Sequence, residues 1–248
     1  MCIVFFEVKV LKKMWIIFLM LACALSLRVF LPLLAAPSVG RIVVIDAGHG
    51  GFDGGAQGAH ASEKDLNLAV AKSLKEALEE RGYFVVMTRE EDIALKTVGE
   101  KLSTKKSDMR ERLCRIRASG AALLISVHMN HFPESKYRGA QVFYNKEGRE
   151  AALLMQEALR QMDPSNTRQA KFVDGELYLL SHADMPACLL ECGFLSNPAE
   201  EKLLMDATYR SLLAQTVANA VDAWSKSQRE NGGKEIIYGE SKNRFSLQ

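Results

Sequence analysis

From Arg41 onward the apolar positions follow two alternating rhythms. Short β-branched or aliphatic runs, RIVVID (41–46), YFVVMT (83–88), ALLISVH (122–128), GAQVFYN (139–145), ELYLL (176–180) and ACLLEC (187–192), predict strands. Between several of them apolar residues recur every three or four positions, which predicts helices. The clearest helix covers 62–82, SEKDLNLAVAKSLKEALEERG, with Leu66, Val70, Leu74 and Leu78 on one face beside Ala69 and Ala77. Ser62 followed three residues later by Asp65 predicts a capping box, and Gly82 fits the stop. Further helices are predicted over 107–119, 148–162 and 209–226, and Pro198 fits the first turn of another. Residues 90–106 are polar and read as a long loop with room for a movable lid or a regulatory partner protein; 227–248 reads as a loosely attached polar tail.

Alternating β and α elements, with strands apolar on both faces, predict an α/β fold. The expectation is one domain over 41–226: a mostly parallel twisted sheet of about six strands with helices on both faces. In such a sheet, polar residues at the C-terminal strand ends gather on one edge, where ligands bind. His49 follows the first strand, His128 ends the run 122–128, and Glu191 ends the run 187–191.

Composition and charge narrow the function classes. The formal net charge of the 248 residues is +2, and residues 1–40 alone hold Lys9, Lys12, Lys13 and Arg28 against Glu7. The remainder is essentially neutral and has no basic tract, so no nucleic-acid partner is expected. The lysines precede MWIIFLMLACALSL, Met14 to Leu27, which predicts a secretory signal or a membrane anchor over 1–40 and an extracytoplasmic domain, secreted or anchored. Beyond that segment Cys114, Cys188 and Cys192 have no disulfide-like spacing. They are expected as small core residues, with Cys188, Leu190 and Cys192 on one face of their strand.

The stretch VVIDAGHGGFDGG (43–55) invites a phosphate reading, which fails. A dinucleotide fingerprint starting at Gly48 needs glycine where Asp53 stands, and a P-loop needs Lys-Ser/Thr where Ala56 and Gln57 follow. A metal suits the residues better. Glu63 follows the Ser62 cap at a helix start, where a carboxylate is electrostatically favoured, and that start faces the same edge as His49 and His128. Two imidazoles and one carboxylate, with a fourth position for water, is the ligand set of a catalytic zinc hydrolase. Taken singly, each of the three also has an ordinary reading as a loop or helix-start residue. Glu191 interrupts the apolar run PACLLECGFL, where an unpaired carboxylate is costly; it is either a structural ion pair or the group that moves protons for a hydrolysis.

In that order and spacing, IDAGHGG, SEKDLNL, SVHMN and LLECGFLSNPAE resemble the four motifs of the zinc-dependent N-acetylmuramoyl-L-alanine amidases, over about 41–225. Ala47 departs from that pattern, where the family commonly has proline. The resemblance implies one zinc ion per chain held by His49, Glu63 and His128, with Glu191 as the catalytic carboxylate. The substrate it implies is peptidoglycan, glycan strands and stem peptides, cut between the muramic lactyl group and L-alanine. The segments HMNHFPESKYRGAQVFYN and TRQAKFVDGELYLL, with a hydrophobic N-terminus and no wall-binding repeats, are similar to the spore-cortex, germination-specific branch. There the bared muramic residue would be available for lactam formation by a second enzyme. A vegetative autolysin and a zinc carboxypeptidase trimming stem peptides are the alternatives. Three further residues belong to the expected site. Asp46 is either a partner orienting a ligand or a strand-end turn residue, Asn130 stands two positions after His128, and Arg89 is either a binder of a substrate carboxylate or a structural ion pair.

Overall fold

The computed structural model describes residues 41–96 and 104–230, the backbone of 231–243, and Trp15. The signal or anchor expected over 1–40 otherwise lies outside the described residues, as does part of the polar stretch 90–106. Among the described residues no helix is long and apolar enough to cross a membrane.

Six strands form one sheet: β1 (Ile42–Ala47), β2 (Phe84–Met87), β3 (Leu123–Asn130), β4 (Gln141–Tyr144), β5 (Lys171–Phe172) and β6 (Ala187–Phe194), in the order β2-β1-β3-β6-β4-β5. All pairings are parallel except β4 on β6, so the expected mostly parallel sheet is what forms. Helices cover both faces, as expected. On one face α1 (Glu63–Glu79), α3 (Arg149–Met162), α5 (Pro198–Met205) and α6 (Ala207–Asn243) bury the odd positions of β1 and β3, Val43, Ile45, Leu123, Ile125 and Val127. On the other, α2 (Lys105–Ala118) and α4 (Tyr178–His182) pack with Val44, Leu124, Ala187 and Leu189. The two-residue period then decides where the polar residues go. Asp46, Ser126, His128 and Glu191 continue the second face toward the C-terminal strand ends, with Asp46 beside Ser126 and His128 beside Glu191.

Several local expectations change. ELYLL (176–180) does not form a strand: Tyr178–His182 is one helical turn in which His182 Nδ1 lies 2.8 Å from the Tyr178 carbonyl and the two rings approach to 4.4 Å. A short apolar run carries no period long enough to tell strand from buried helix. The missed strand β5 has both residues exposed, so nothing apolar marked it. The Ser62 capping box does not close; the Ser62 hydroxyl donates to the Asp65 carboxylate and caps no backbone N–H. Gly82, at φ +78, does end α1. Helix α2 starts at Lys105, where Thr104 accepts from the Ser107 N–H at 3.1 Å. Helix α6 runs well past the predicted 226 to Asn243. Cys188 and Cys192 are buried as expected, with Leu190 between them on the same face, whereas Cys114 is exposed on α2.

Candidate metal centre

The chain leaves β1 through Gly48, whose N–H donates to the Val127 carbonyl at 3.0 Å, and turns at His49. His49 has φ +61, the one non-glycine residue with positive φ among the described residues. The turn carries its imidazole over the first residue of α1. His49 Nε2 lies 3.2 Å from Glu63 Oε1, and His128 Nδ1, arriving from β3, lies 2.9 Å from the same oxygen. One donor atom from each of the three lies within 4.8 Å of the others, a spacing that a single metal ion spans. The imidazoles meet edge to face, with centroids 5.0 Å apart.

The surroundings fix these groups. Glu63 Oε2 accepts from the Ala56 N–H at 2.7 Å, and Oε1 from the Met129 N–H at 3.2 Å. Burial works against the Glu63 charge, but the hydrogen bonds and charges of His128 and His49 prevail and hold its pKa well below the usual carboxylate range. Burial likewise opposes a charged His49, yet Glu63 and Asp53 raise its pKa; Asp53 Oδ2 stands 3.0 Å from His49 Nδ1. Two glycines make the cluster possible. A Cβ on Gly48 would lie 2.3 Å from the His128 ring, and one on Gly55, at φ +66, would lie 2.5 Å from Glu63 Oε2.

Glu191 stands beside His128 across the β3–β6 pairing. Its Oε2 is buried without a hydrogen-bond partner, so the structural ion pair is not what forms. Burial pushes the carboxyl up to about 7, with Glu63 adding to the shift and His128 and His49 opposing it. A cavity of about 190 Å³ opens beside the two histidines, and Met109, Leu177, Tyr178 and Leu189 also line it.

Residues 43–223 match the family described as N-acetylmuramoyl-L-alanine amidase. The chain belongs to that family. It is 40% identical over 190 residues to the germination-specific N-acetylmuramoyl-L-alanine amidase of Bacillus subtilis, covering 75% of this chain and 80% of the relative. Among solved structures it is similar to the CwlD amidase of Clostridioides difficile in complex with the GerS lipoprotein, with a TM-score of 0.69 and 37% identity over 76% of this chain and all of that one. The catalytic domain of CwlV, an amidase of Bacillus (Paenibacillus) polymyxa, matches with a TM-score of 0.65 and 28% identity, over 74% and 97% of the two chains. The chain is thus an amidase-family enzyme, and the resemblance read from its four motifs holds.

Three further residues were expected at or beside the site: Arg89, Asp46 and Asn130. Among the described residues Arg89 forms no ion pair. It is buried, donating from Nε to the Ala47 carbonyl at 2.9 Å and from Nη2 to the carbonyls of Gly48 and Lys64 at 2.9 and 2.8 Å. Asp46 hydrogen-bonds none of His49, Glu63 and His128 directly but holds Arg112, which donates to the His49 carbonyl. Its carboxylate accepts from Thr88, Ser126 and Arg112 at 2.7–2.8 Å, and the Arg112 charge and Ser126 bond outweigh burial to bring its pKa down to about 2. Asn130 lies where β3 slips register against β6, and its Oδ1 accepts from the His131 N–H. Arg112, Asp108, Asp53 and Asn67 escaped the sequence reading. Asn67 Nδ2 donates to the Gly48 carbonyl at 3.1 Å. A signal existed in α2, since Asp108, Arg112 and Ile116 recur at i, i+4 on the side that carries Leu113 inward.

Proposed function

We propose that this chain is a zinc-dependent N-acetylmuramoyl-L-alanine amidase acting outside the cytoplasm on spore-cortex peptidoglycan. It hydrolyses the amide between the lactyl group of N-acetylmuramic acid and L-alanine, separating stem peptide from glycan. The observation that carries the reading is the convergence of His49, Glu63 and His128 beside a carboxylate, Glu191, that has a buried oxygen without a partner. The cortex assignment rests on the germination-specific relative at 40% identity.

The donor set, two imidazoles and one carboxylate, fits one zinc ion held by His49, Glu63 and His128, with a position left for water or substrate. When bound there, the ion supplies Lewis-acid polarisation and activates water at neutral pH. Glu191 does the proton work. Its buried Oε2, which has no hydrogen-bond partner, takes the proton of the attacking water and returns it to the departing amine of L-alanine.

The proposal includes residues 1–40 as the export signal or anchor, 41–226 as the catalytic domain and 227–248 as a polar C-terminal tail, whose first part continues α6. It extends to a protein partner of the kind present in the Clostridioides difficile complex. The test joins metal analysis of the purified protein to mass spectrometry of digested cortex peptidoglycan. About one zinc per chain and glycan freed of stem peptides are expected. Shortened stems still attached to glycan would make the enzyme a carboxypeptidase, and equal digestion of vegetative wall would make it an autolysin.

A further inference from the structure

We propose that Arg112 is a positioning residue that locks His49 in its metal-facing conformation. The inference rests on the proposed metal role of His49 and adds a cause for its orientation. His49 adopts φ +61, a left-handed conformation that is uncommon for a residue with a Cβ and is held by its surroundings. The enforcing contacts come mainly from one guanidinium. Arg112 Nη2 donates to the His49 carbonyl, Nη1 to the Ala47 carbonyl at 2.7 Å and to Asp46 Oδ1 at 2.8 Å, and Nε to Asp108 Oδ2 at 2.6 Å. Arg112 therefore grips the backbone on both sides of Gly48 and at the ligand itself.

The guanidinium is in turn held rigid. Arg112 is almost wholly buried, between Asp46 at the end of β1 and Asp108 one turn earlier on α2. Asp46 is tied to Thr88 and Ser126, and Asp108 Oδ1 also accepts from the Leu95 N–H at 2.7 Å. A planar fork of fixed donors suits this task in a way a lysine ammonium does not. Arg89 complements it from the other side by binding the Ala47 and Gly48 carbonyls, but it does not reach the His49 carbonyl. Without Arg112, the His49 carbonyl loses the partner that turns it inward, and the imidazole is free to leave Glu63 Oε1.

The test measures zinc affinity by chelator competition alongside the melting temperature of the metal-free protein. The variants are Arg112→Lys, Arg112→Met and Asp108→Asn, with Leu159→Ala as a comparison, a core change on α3 on the opposite face of the sheet. Arg112→Lys is expected to weaken zinc binding roughly 10–100-fold, the usual effect of removing a group that orients a ligand. Asp108→Asn leaves the Arg112 bonds to Asp46, Ala47 and His49 and is expected to weaken binding by a smaller factor. Leu159→Ala should lower the melting temperature and leave the affinity unchanged. The proposal is overturned if Arg112→Lys binds zinc as tightly as Leu159→Ala. Should Arg112→Met not fold, the lysine and Asp108 variants carry the same decision. Failure of the metal reading has a different signature, in which the unaltered protein binds no stoichiometric zinc and Glu63→Ala changes nothing.

Discussion

Glu191→Gln should lose hydrolysis and gain stability, and the gain should depend on pH. The wild-type carboxyl has its pKa pushed from 4.5 to about 7, chiefly by burial, and Oε2 has no hydrogen-bond donor to offset the charge. A carboxylate whose folded pKa is raised is easier to ionise in the unfolded chain, so ionisation drives unfolding. The cost is absent below pH 4.5, grows between 4.5 and about 7, and is complete above that. At about 1.4 kcal/mol per pH unit, the gap is worth as much as about 3 kcal/mol. Glutamine keeps the shape and never ionises. In the metal-free protein the melting temperature of Glu191→Gln should match wild type near pH 4.5 and exceed it by several degrees at pH 8. Turnover of purified cortex fragments should fall roughly 10²–10⁴-fold while zinc stays bound. A melting-temperature difference that is flat from pH 5 to pH 8 would refute the burial argument. Retained turnover would remove Glu191 from proton transfer.

Other perturbations probe the remaining parts of the site. His49→Ala and His128→Ala should each abolish stoichiometric zinc in metal analysis, and unchanged content in either would strike that residue from the ligand set. Gly48→Ala puts a Cβ where the His128 ring stands, so it should lower both zinc content and melting temperature; a variant with normal zinc would show that the ring can move aside at little cost. Asp46, with its pKa lowered from 3.8 to about 2, contributes about 2 kcal/mol of stability that is present above pH 3.8 and lost as pH falls toward 2. Acid titration of Asp46→Asn should therefore show a flatter stability profile than wild type between pH 4 and pH 2, and identical acid limbs would contradict the pairing with Arg112.

What the sequence determined by itself is what local rhythm and residue chemistry can encode. The two-residue period put Cys188, Leu190 and Cys192 on one face of their strand and so Glu191 on the other, and the Ser62 signal placed Glu63 at the start of α1. The four motifs that carry His49, Glu63, His128 and Glu191 were enough to identify the family, because their residues, order and spacing are specific to it. Tertiary structure decided the rest, for reasons a single segment cannot carry. ELYLL became a helical turn because its packing against α2 and the sheet settled a run too short to have a period of its own. Strand β4 runs antiparallel, a matter of chain path that no residue in it signals. Arg89 was expected to bind a substrate carboxylate or to form an ion pair, and Arg112 drew no reading at all, yet both are buried on the carbonyls of the His49 turn. Their carbonyl partners in that turn lie 41 to 65 residues away, and a buried charge can only be read once those partners are in place.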